Sequence, residues 1–175
     1  LTSGARVRLA SNGLVTVETD MTDIGSGSYT IIAQTAAEML GVPVERITVR
    51  LGDSDFPTSA GSGGQWGANS ATAGVYAACV KLREQVAARL GVNAADAEFV
   101  DGKVVAGGRS LPLAQAAAVQ WHRLQRPGQK RRHALQHELR EQPSRGQILV
   151  ELEPDEQPVD RRRVQERGTG RRLAG

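Results

Sequence analysis

The sequence is poor in cysteine and in aromatic residues. Its 175 residues include one Cys, two Trp, two Tyr and two Phe. The single cysteine, Cys79, excludes an internal disulfide and any metal site built from several cysteines. Its position within an apolar helical pattern favours a buried, unreactive thiol over a catalytic one. No run of 18 apolar residues occurs, so the sequence predicts no membrane-spanning helix.

Charge is distributed unevenly along the chain. Residues 1–118 contain nine Lys and Arg against eleven Asp and Glu, which is a net charge of −2. Residues 119–175 contain thirteen against eight, a net charge of +5, together with all three histidines. Because this second part offers little apolar surface to bury, we predict a disordered, Arg- and Gln-rich tail over 118–175. One strand-like segment, at 147–152, interrupts it.

The first 117 residues have the patterns of an α/β fold of the α+β type. Their periodicities predict strands at 6–9, 14–19 and 47–51, a hairpin at 98–105, and helices at about 31–39, 67–90 and 110–118. The Asn12-Gly13 dipeptide predicts the first hairpin turn, Gly41 the end of the first helix, and Ser110 the cap of the last. The loop predicted at 52–66 is longer than connections usually are, which suggests a function.

Two segments rich in glycine and serine are the most distinctive feature of the sequence. Loop 1 covers residues 23–30 and loop 2 covers residues 59–67, and each runs into a predicted helix. Unpaired N–H groups at a helix start carry the positive end of the helix dipole, so both loops favour an anion. Loop 1 has neither the Gly-Lys-Ser/Thr of a Walker loop nor the third glycine of the dinucleotide fingerprint. A phosphate-bearing ligand is the favoured interpretation, and a pair of plain turns is the alternative.

Several side chains near the loops admit two interpretations. The acidic ones are either metal ligands or a catalytic pair or, more commonly, acceptors for backbone N–H groups in turns: Asp20, Asp23, Asp53 and Asp55. Tyr29 and Trp66 either line a ligand pocket or belong to the core. His133 and His137 have the i, i+4 spacing of a metal site, but their Arg- and Gln-rich surroundings favour a solvated segment.

Three stretches carry a resemblance to a known family. They are residues 15–34, with Gly25-Ser26-Gly27 near their centre, residues 51–57, and residues 61–79, which begin Gly-Ser-Gly-Gly-Gln-Trp-Gly. Together they resemble the large subunit of the molybdenum hydroxylases, the group of xanthine dehydrogenase, aldehyde oxidase and carbon monoxide dehydrogenase. The resemblance covers residues 1–117 and is strongest to the molybdenum-binding subunits of bacterial periplasmic aldehyde oxidoreductases.

The resemblance implies that residues 1–117 are part of a molybdopterin-binding domain. The cofactor that it implies is molybdopterin cytosine dinucleotide. By resemblance, the cofactor-binding residues lie in the two loops: Gly25, Ser26, Gly27, Ser28 and Thr30 on the dinucleotide side, and Ser62, Gly63, Gly64 and Gln65 near the pterin.

An activity and a set of partners also follow from the resemblance. The reaction is hydroxylation of an aldehyde with oxygen derived from water. Electrons would leave through iron–sulfur clusters and FAD, carried on an iron–sulfur subunit and a FAD subunit. The resemblance implies neither nucleic acid nor a membrane span, and leaves the compartment open between the periplasm and the cytoplasm of a bacterium.

The chain departs from the family in two respects. The Gly-x-Gly-Glu motif that carries the family's catalytic base is absent, so we predict no catalytic residue and no metal ligand here. Residues 118–175 resemble no part of the family, and their composition suggests a frameshift near residue 118. The sequence therefore predicts a fragment that is inactive alone. The alternative is a small α/β binding module whose basic tail contacts nucleic acid or an acidic partner.

Overall fold

The computed structural model describes residues 3–118 and 148–152. The strands are β1 (Ala5–Leu9), β2 (Val15–Thr19), β3 (Ile47–Leu51), β4 (Glu98–Val100), β5 (Lys103–Ala106), β6 (Arg109–Pro112) and β7 (Ile148–Leu152). The helices are α1 (Ser28–Leu40), α2 (Gly64–Leu90) and α3 (Leu113–Ala118), with 3₁₀ turns at Val44–Arg46 and Ala94–Asp96. The predicted mixture of helix and strand is confirmed.

Four strands form the main sheet, in the order β3-β2-β1-β7. β1 pairs antiparallel with β2 through the predicted hairpin, and antiparallel with β7 on its other side. β2 and β3 are parallel, so the chain must cross over between them, and helix α1 makes this crossover. Parallel strands end at the same edge of a sheet. Loop 1, which follows β2, and the segment from β3 to loop 2 therefore both begin at this same edge of the sheet.

One face of the main sheet packs against helices α1 and α2. Val7 and Val17 of the sheet, Ile32 of α1 and Val75 and Leu82 of α2 are fully buried there. Burying a side chain of this size contributes about 1.5–3 kcal/mol. The apolar face predicted for the second helix is confirmed. Its last member, Leu90, is partly buried, and the others are buried: Ala71, Val75, Ala78, Cys79, Leu82 and Val86.

The opposite face of the same sheet carries a network of charges. The carboxylate of buried Glu18 lies 3.3 Å from Arg6, 3.3 Å from Arg8 and 2.9 Å from Arg50. Arg6 is also paired with Glu151 of β7, at 2.9 Å from Nε and 3.2 Å from Nη2. A carboxylate removed from water needs such partners, so Glu18 joins three strands of the sheet into one ionic group.

The second sheet is a three-stranded antiparallel meander of β4, β5 and β6. The hairpin predicted at 98–105 is confirmed, but the prediction that Ser110 caps the last helix is wrong. Ser110 lies in β6 opposite Val105, and α3 begins at Leu113. Gly107 and Gly108 have φ values of 55° and 74°, as a two-residue hairpin turn of the favoured hand requires. Pairing with β5 therefore prevails over the local capping pattern.

Strand β7 comes from within the predicted tail. The strand-like segment at 147–152 forms this strand, whose register with β1 runs from Ala5–Leu152 to Leu9–Ile148. Ile148 and Val150 are buried against the core. These five residues therefore belong to the sheet, as the strand-like segment that interrupts the predicted tail indicates. The remainder of 119–175 lies outside the described residues.

Candidate functional site

The two Gly/Ser loops lie side by side at one edge of the main sheet. The Ser62 hydroxyl of loop 2 donates a hydrogen bond to the carbonyl oxygen of Thr22, just before loop 1. The Ser59 N–H donates to Oδ1 of Asp20 at 2.5 Å, and the Asp20 N–H donates to the Pro57 oxygen at 3.1 Å. The predicted placement of both loops near strand ends is therefore confirmed.

Loop 1 is folded around the carboxylate of Asp23. Its Oδ1 accepts hydrogen bonds from the N–H groups of Gly25 and Ser26, each at 3.0 Å, and from the Ser26 hydroxyl at 3.3 Å. Desolvation raises the pKa of Asp23, but these hydrogen bonds, together with one from the Tyr29 N–H, outweigh it and lower the pKa. Asp23 is therefore a turn acceptor, the commoner of the two roles considered.

The end of loop 1 forms the start of helix α1. Gly27 is the N-cap residue, in the left-handed conformation with a φ of 76°, and makes no side-chain capping bond of its own. Gly25 also has a positive φ, 90°, so both positions favour glycine. Buried Ser28 shares a hydrogen bond of 3.0 Å between its hydroxyl and that of Ser26. Thr30 is exposed, and its N–H donates to the Gly27 oxygen at 3.1 Å.

Loop 2 is shorter than predicted, because helix α2 begins at Gly64 and not at Gly67. Gly64 and Gln65 therefore belong to the first turn of a helix, while Ser62 and Gly63 remain in the loop. A Cβ on Gly63 would overlap the Trp66 ring, so a side chain at position 63 would require the half-exposed indole to move.

Tyr29 and Trp66 both stand beside the loops with about half of their surface exposed, 47% and 53% respectively. Neither belongs to the core, which removes one of the two interpretations that the sequence leaves open. Ile24, in loop 1, is exposed to a similar degree at 64%. The edge that carries the loops therefore presents apolar surface around the polar donors, as pockets for cofactors commonly do.

The other polar candidates have structural roles where they are described. Asp53 accepts a hydrogen bond from the Asp55 N–H at 3.0 Å, which confirms the predicted turn. The predicted burial of Cys79 is confirmed, and burial raises the pKa of its thiol to about 12, although the charge of Arg83 opposes this. Over residues 3–118 and 148–152, no cluster of three or more His, Cys, Asp or Glu is placed to hold a metal. His133 and His137 lie outside these ranges.

Membrane crossing can be judged only for the helices described. None of α1, α2 and α3 combines the length and the apolar content that a bilayer span requires. The long helix α2 buries one face against the main sheet, and its exposed residues include both Tyr76 and the polar Glu84 and Gln85.

Comparison with known proteins identifies the family. The family model of the molybdopterin cofactor-binding domain matches residues 1–155. The chain belongs to this family. The match extends past residue 118 and takes in strand β7, which the composition of the chain places in a tail.

One relative is an enzyme subunit of known class. The chain is 66% identical over 116 residues to the aldehyde oxidoreductase molybdenum-binding subunit PaoC of Escherichia coli K12. The aligned part is 66% of this chain and 16% of that subunit. The chain thus spans about a sixth of the length of this curated relative, and the match supports the resemblance found in the sequence.

Two solved structures of enzymes share the fold. Quinoline 2-oxidoreductase from Pseudomonas putida 86 superposes with a TM-score of 0.59 at 23% identity, over 87% of this chain and 19% of its own. Carbon monoxide dehydrogenase from Oligotropha carboxidovorans gives a TM-score of 0.56 at 24% identity, over 67% and 16%. These structures show the shared fold, and the family model identifies the chain as a molybdopterin cofactor-binding domain.

The two loops fit a phosphate-bearing cofactor. No heavy atom lies within 4 Å of a Cβ built on Gly25, Gly27 or Gly61, so these three glycines border open space. The start of α1 supplies backbone N–H groups beside that space, and N–H groups of this kind suit phosphate oxygens.

Proposed function

We propose that this chain provides part of the cofactor site of a molybdenum-dependent aldehyde oxidoreductase. The observation that carries the proposal is the 66% identity to an aldehyde oxidoreductase molybdenum-binding subunit, a level of identity at which relatives commonly keep their ligands. The adjacency of the two loops supports it, because one extended cofactor can then contact both.

The proposed cofactor is molybdopterin cytosine dinucleotide, held between the loops. Gly25, Ser26, Gly27, Ser28 and Thr30 would form the dinucleotide side, and Ser62, Gly63, Gly64 and Gln65 the pterin side. The helix α1 start provides positive potential for the pyrophosphate. The first turn of α2 brings Gly64 and Gln65 to the same edge of the sheet. When bound, the cofactor supplies the redox chemistry for oxidation of an aldehyde with oxygen derived from water.

The chain would act as one piece of a larger assembly. An iron–sulfur subunit and a FAD subunit would accept the electrons. The relative in Escherichia coli is itself named as a subunit, which supports an assembly of several chains. The chain's own residues contribute binding and orientation, and no carboxylate in the described part is proposed as the catalytic base. We therefore expect the isolated chain to bind without oxidising an aldehyde.

The proposal is tested by titrating the ¹⁵N-labelled full chain with cytidine diphosphate, the nucleotide part of the cofactor. Amide shifts confined to loop 1 and the start of α1 would support it. Shifts elsewhere, or none at millimolar concentration, would contradict the assignment of this loop. Incubation with intact cofactor and an aldehyde should produce no turnover, and measurable oxidation would show that the chain is active alone.

We propose a domain organisation in which residues 1–117 form a partial cofactor-binding domain that β7 completes on one side. The proposed frameshift lies near residue 118 and concerns residues 118–175, although the family match continues to residue 155. Reading the coding DNA from residue 118 onwards in the other two frames tests it. A family-like peptide in another frame would support the shift, and its absence from both would refute it.

A further inference from the structure

One face of the second sheet is covered by the core along only part of its length. Phe99 and Val104, which lie opposite each other in β4 and β5, are buried on this face. Ala106 of β5 and Leu111 of β6 belong to the same face, because alternate residues of a strand and cross-strand partners point to the same side. Both are only partly buried. Apolar surface of the sheet is therefore left open at this end.

A groove lies between this open surface and the C-terminal end of helix α2. Its volume is about 620 Å³, within the range of about 300–1,000 Å³ that is usual for small-molecule sites. Its apolar lining comes from the end of α2, the turn after it and the two strands: Leu90, Val92, Val104, Ala106 and Leu111. Helix α2 has 27 residues, so the groove lies about 40 Å along the helix from the Gly/Ser loops.

One charged side chain shares this face of the sheet. Arg109 is the cross-strand partner of Ala106 and borders the groove beside the apolar surface. Over residues 3–118 and 148–152, no carboxylate pairs with this exposed guanidinium. None of the described residues that line the groove is acidic. A ligand in the groove thus meets apolar walls and one cation whose planar fork can bind both oxygens of a carboxylate.

We propose that this groove binds a free carboxylic acid with an unbranched apolar chain, in its ionised form. The carboxylate pairs with Arg109, and the chain lies against Val104, Ala106 and Leu111. A neutral molecule with the same chain makes only the apolar contacts, and a cation is repelled by the guanidinium. The inference does not depend on the proposed cofactor-binding function, because it uses none of the residues of the two loops.

Methyl NMR on the full chain tests this assignment. The probe is octanoate, and octanol is the uncharged molecule with the same chain length. We expect octanoate to shift the methyl signals of Val104 and Leu111 and to leave those of Val7 and Val17 in the main sheet unchanged. It should bind about three- to tenfold more tightly than octanol, because only the carboxylate pairs with Arg109. Equal affinities, or shifts in the main sheet alone, would overturn the proposal.

Arg109→Gln has a matched control on the same sheet. Arg109 is exposed, so this substitution should leave the fold intact and reduce the affinity for octanoate to that for octanol. Lys103 is an exposed cation on the opposite face of β5, and Lys103→Gln should leave both affinities unchanged. An unchanged affinity for octanoate in Arg109→Gln, or an equal loss in Lys103→Gln, would show that the carboxylate does not bind at Arg109.

Ala106→Ile tests the apolar part of the groove. The larger side chain fills space against which the ligand chain lies, so octanoate and octanol should both bind more weakly. Unchanged binding of both would place the ligand outside the groove and contradict the proposal.

Two further outcomes would also contradict it. If the signals of Val104 and Leu111 shift with protein concentration alone, a second copy of the chain occupies the groove. If octanoate causes no shift at millimolar concentration, the groove binds no such ligand. Cytidine diphosphate should leave both signals unchanged, so a failure of the proposed function at the loops is distinguishable from a failure of this inference.

Discussion

Ser59 donates its backbone N–H to Oδ1 of Asp20 across 2.5 Å, joining two residues that are 39 positions apart in the chain. Asp20 directly follows strand β2, and Ser59 opens loop 2. The bond therefore fixes the start of loop 2 against the sheet edge from which loop 1 departs. A site made of both loops depends on this carboxylate even though Asp20 belongs to neither loop.

Replacing Asp20 by Ala should loosen loop 2. We expect faster hydrogen exchange of the Ser59 N–H and a loss of about 1–2 kcal/mol in the free energy of unfolding, because a charge-assisted hydrogen bond is lost. Exchange is measured by NMR and stability by urea unfolding. Asp53→Ala removes a turn bond of 3.0 Å nearer the start of the same connection between β3 and α2, and should leave Ser59 unaffected. Equal exchange of Ser59 in both variants would contradict the role of Asp20.

Gly27→Ala tests the start of helix α1 and has a close control. Gly27 and Gly91 have φ values of 76° and 70°, and a Cβ placed on either residue would meet open space. Each substitution should therefore cost about 1–2 kcal/mol of stability through backbone strain. Only Gly27→Ala should also weaken the binding of cytidine diphosphate, as measured by calorimetric titration. A similar weakening in Gly91→Ala would show that the effect comes from stability and not from the site.

Strand β7 can be tested with two substitutions on neighbouring residues. Val150 is 3% exposed and faces the core, whereas Leu149, opposite Arg8 in the sheet, is only partly buried. Val150→Asp should lower the unfolding free energy by about 3 kcal/mol, since it buries a charge among apolar side chains. Leu149→Asp, beside Arg8, should cost much less. Thermal unfolding measures both, and equal costs would argue against the register of β7.

Cys79 should resist alkylation in the folded chain. Burial raises the pKa of its thiol to about 12, against the opposing charge of Arg83, so almost no thiolate exists at about pH 8. We expect iodoacetamide to react only after unfolding in urea, as followed by mass spectrometry. Rapid labelling of the native protein under these mildly alkaline conditions would contradict the burial of this residue.

The same thiol makes stability depend on alkaline pH. Its folded pKa of about 12 lies well above the ordinary value of a cysteine thiol, so the folded state retains its proton where the unfolded state has lost it. The unfolding free energy therefore falls as the pH rises from about 9 towards about 12. Cys79→Ala lacks this contribution. As the pH rises over this range, the unfolding free energy of the variant should therefore increase relative to that of the unmodified protein. A constant difference across this range would refute the shift.

Local patterns in the sequence are sufficient for most elements of the first 117 residues. The hairpin at Asn12-Gly13, the helix ended by Gly41 and the apolar face of α2 are where the periodicities predict them. The prediction of the last helix at Ser110 is wrong, because a capping pattern reports only on neighbouring residues. Pairing of β6 with β5 depends instead on the turn at 107–108, whose two glycines both have positive φ values.

The candidate site is likewise predicted only in part from the sequence. Its residue types, and the resemblance that they carry, come from the sequence, and the family match over residues 1–155 agrees with them. Asp20 and Asp23 are expected from the sequence to accept bonds in turns, but no pattern shows which N–H groups they receive. Those partners are evident only from the distances in the folded chain.

Short motifs and periodicities in the chain are enough to predict the family, the α/β architecture and two loops rich in glycine and serine. Each of these properties is defined by residues that are close in sequence. The contact between the loops through Ser62 and Thr22, and the extension of the sheet by β7 beside β1, emerge only in the folded molecule. Both contacts join residues far apart in the chain. Their energy exists only once the core of α1, α2 and the main sheet has brought those residues together.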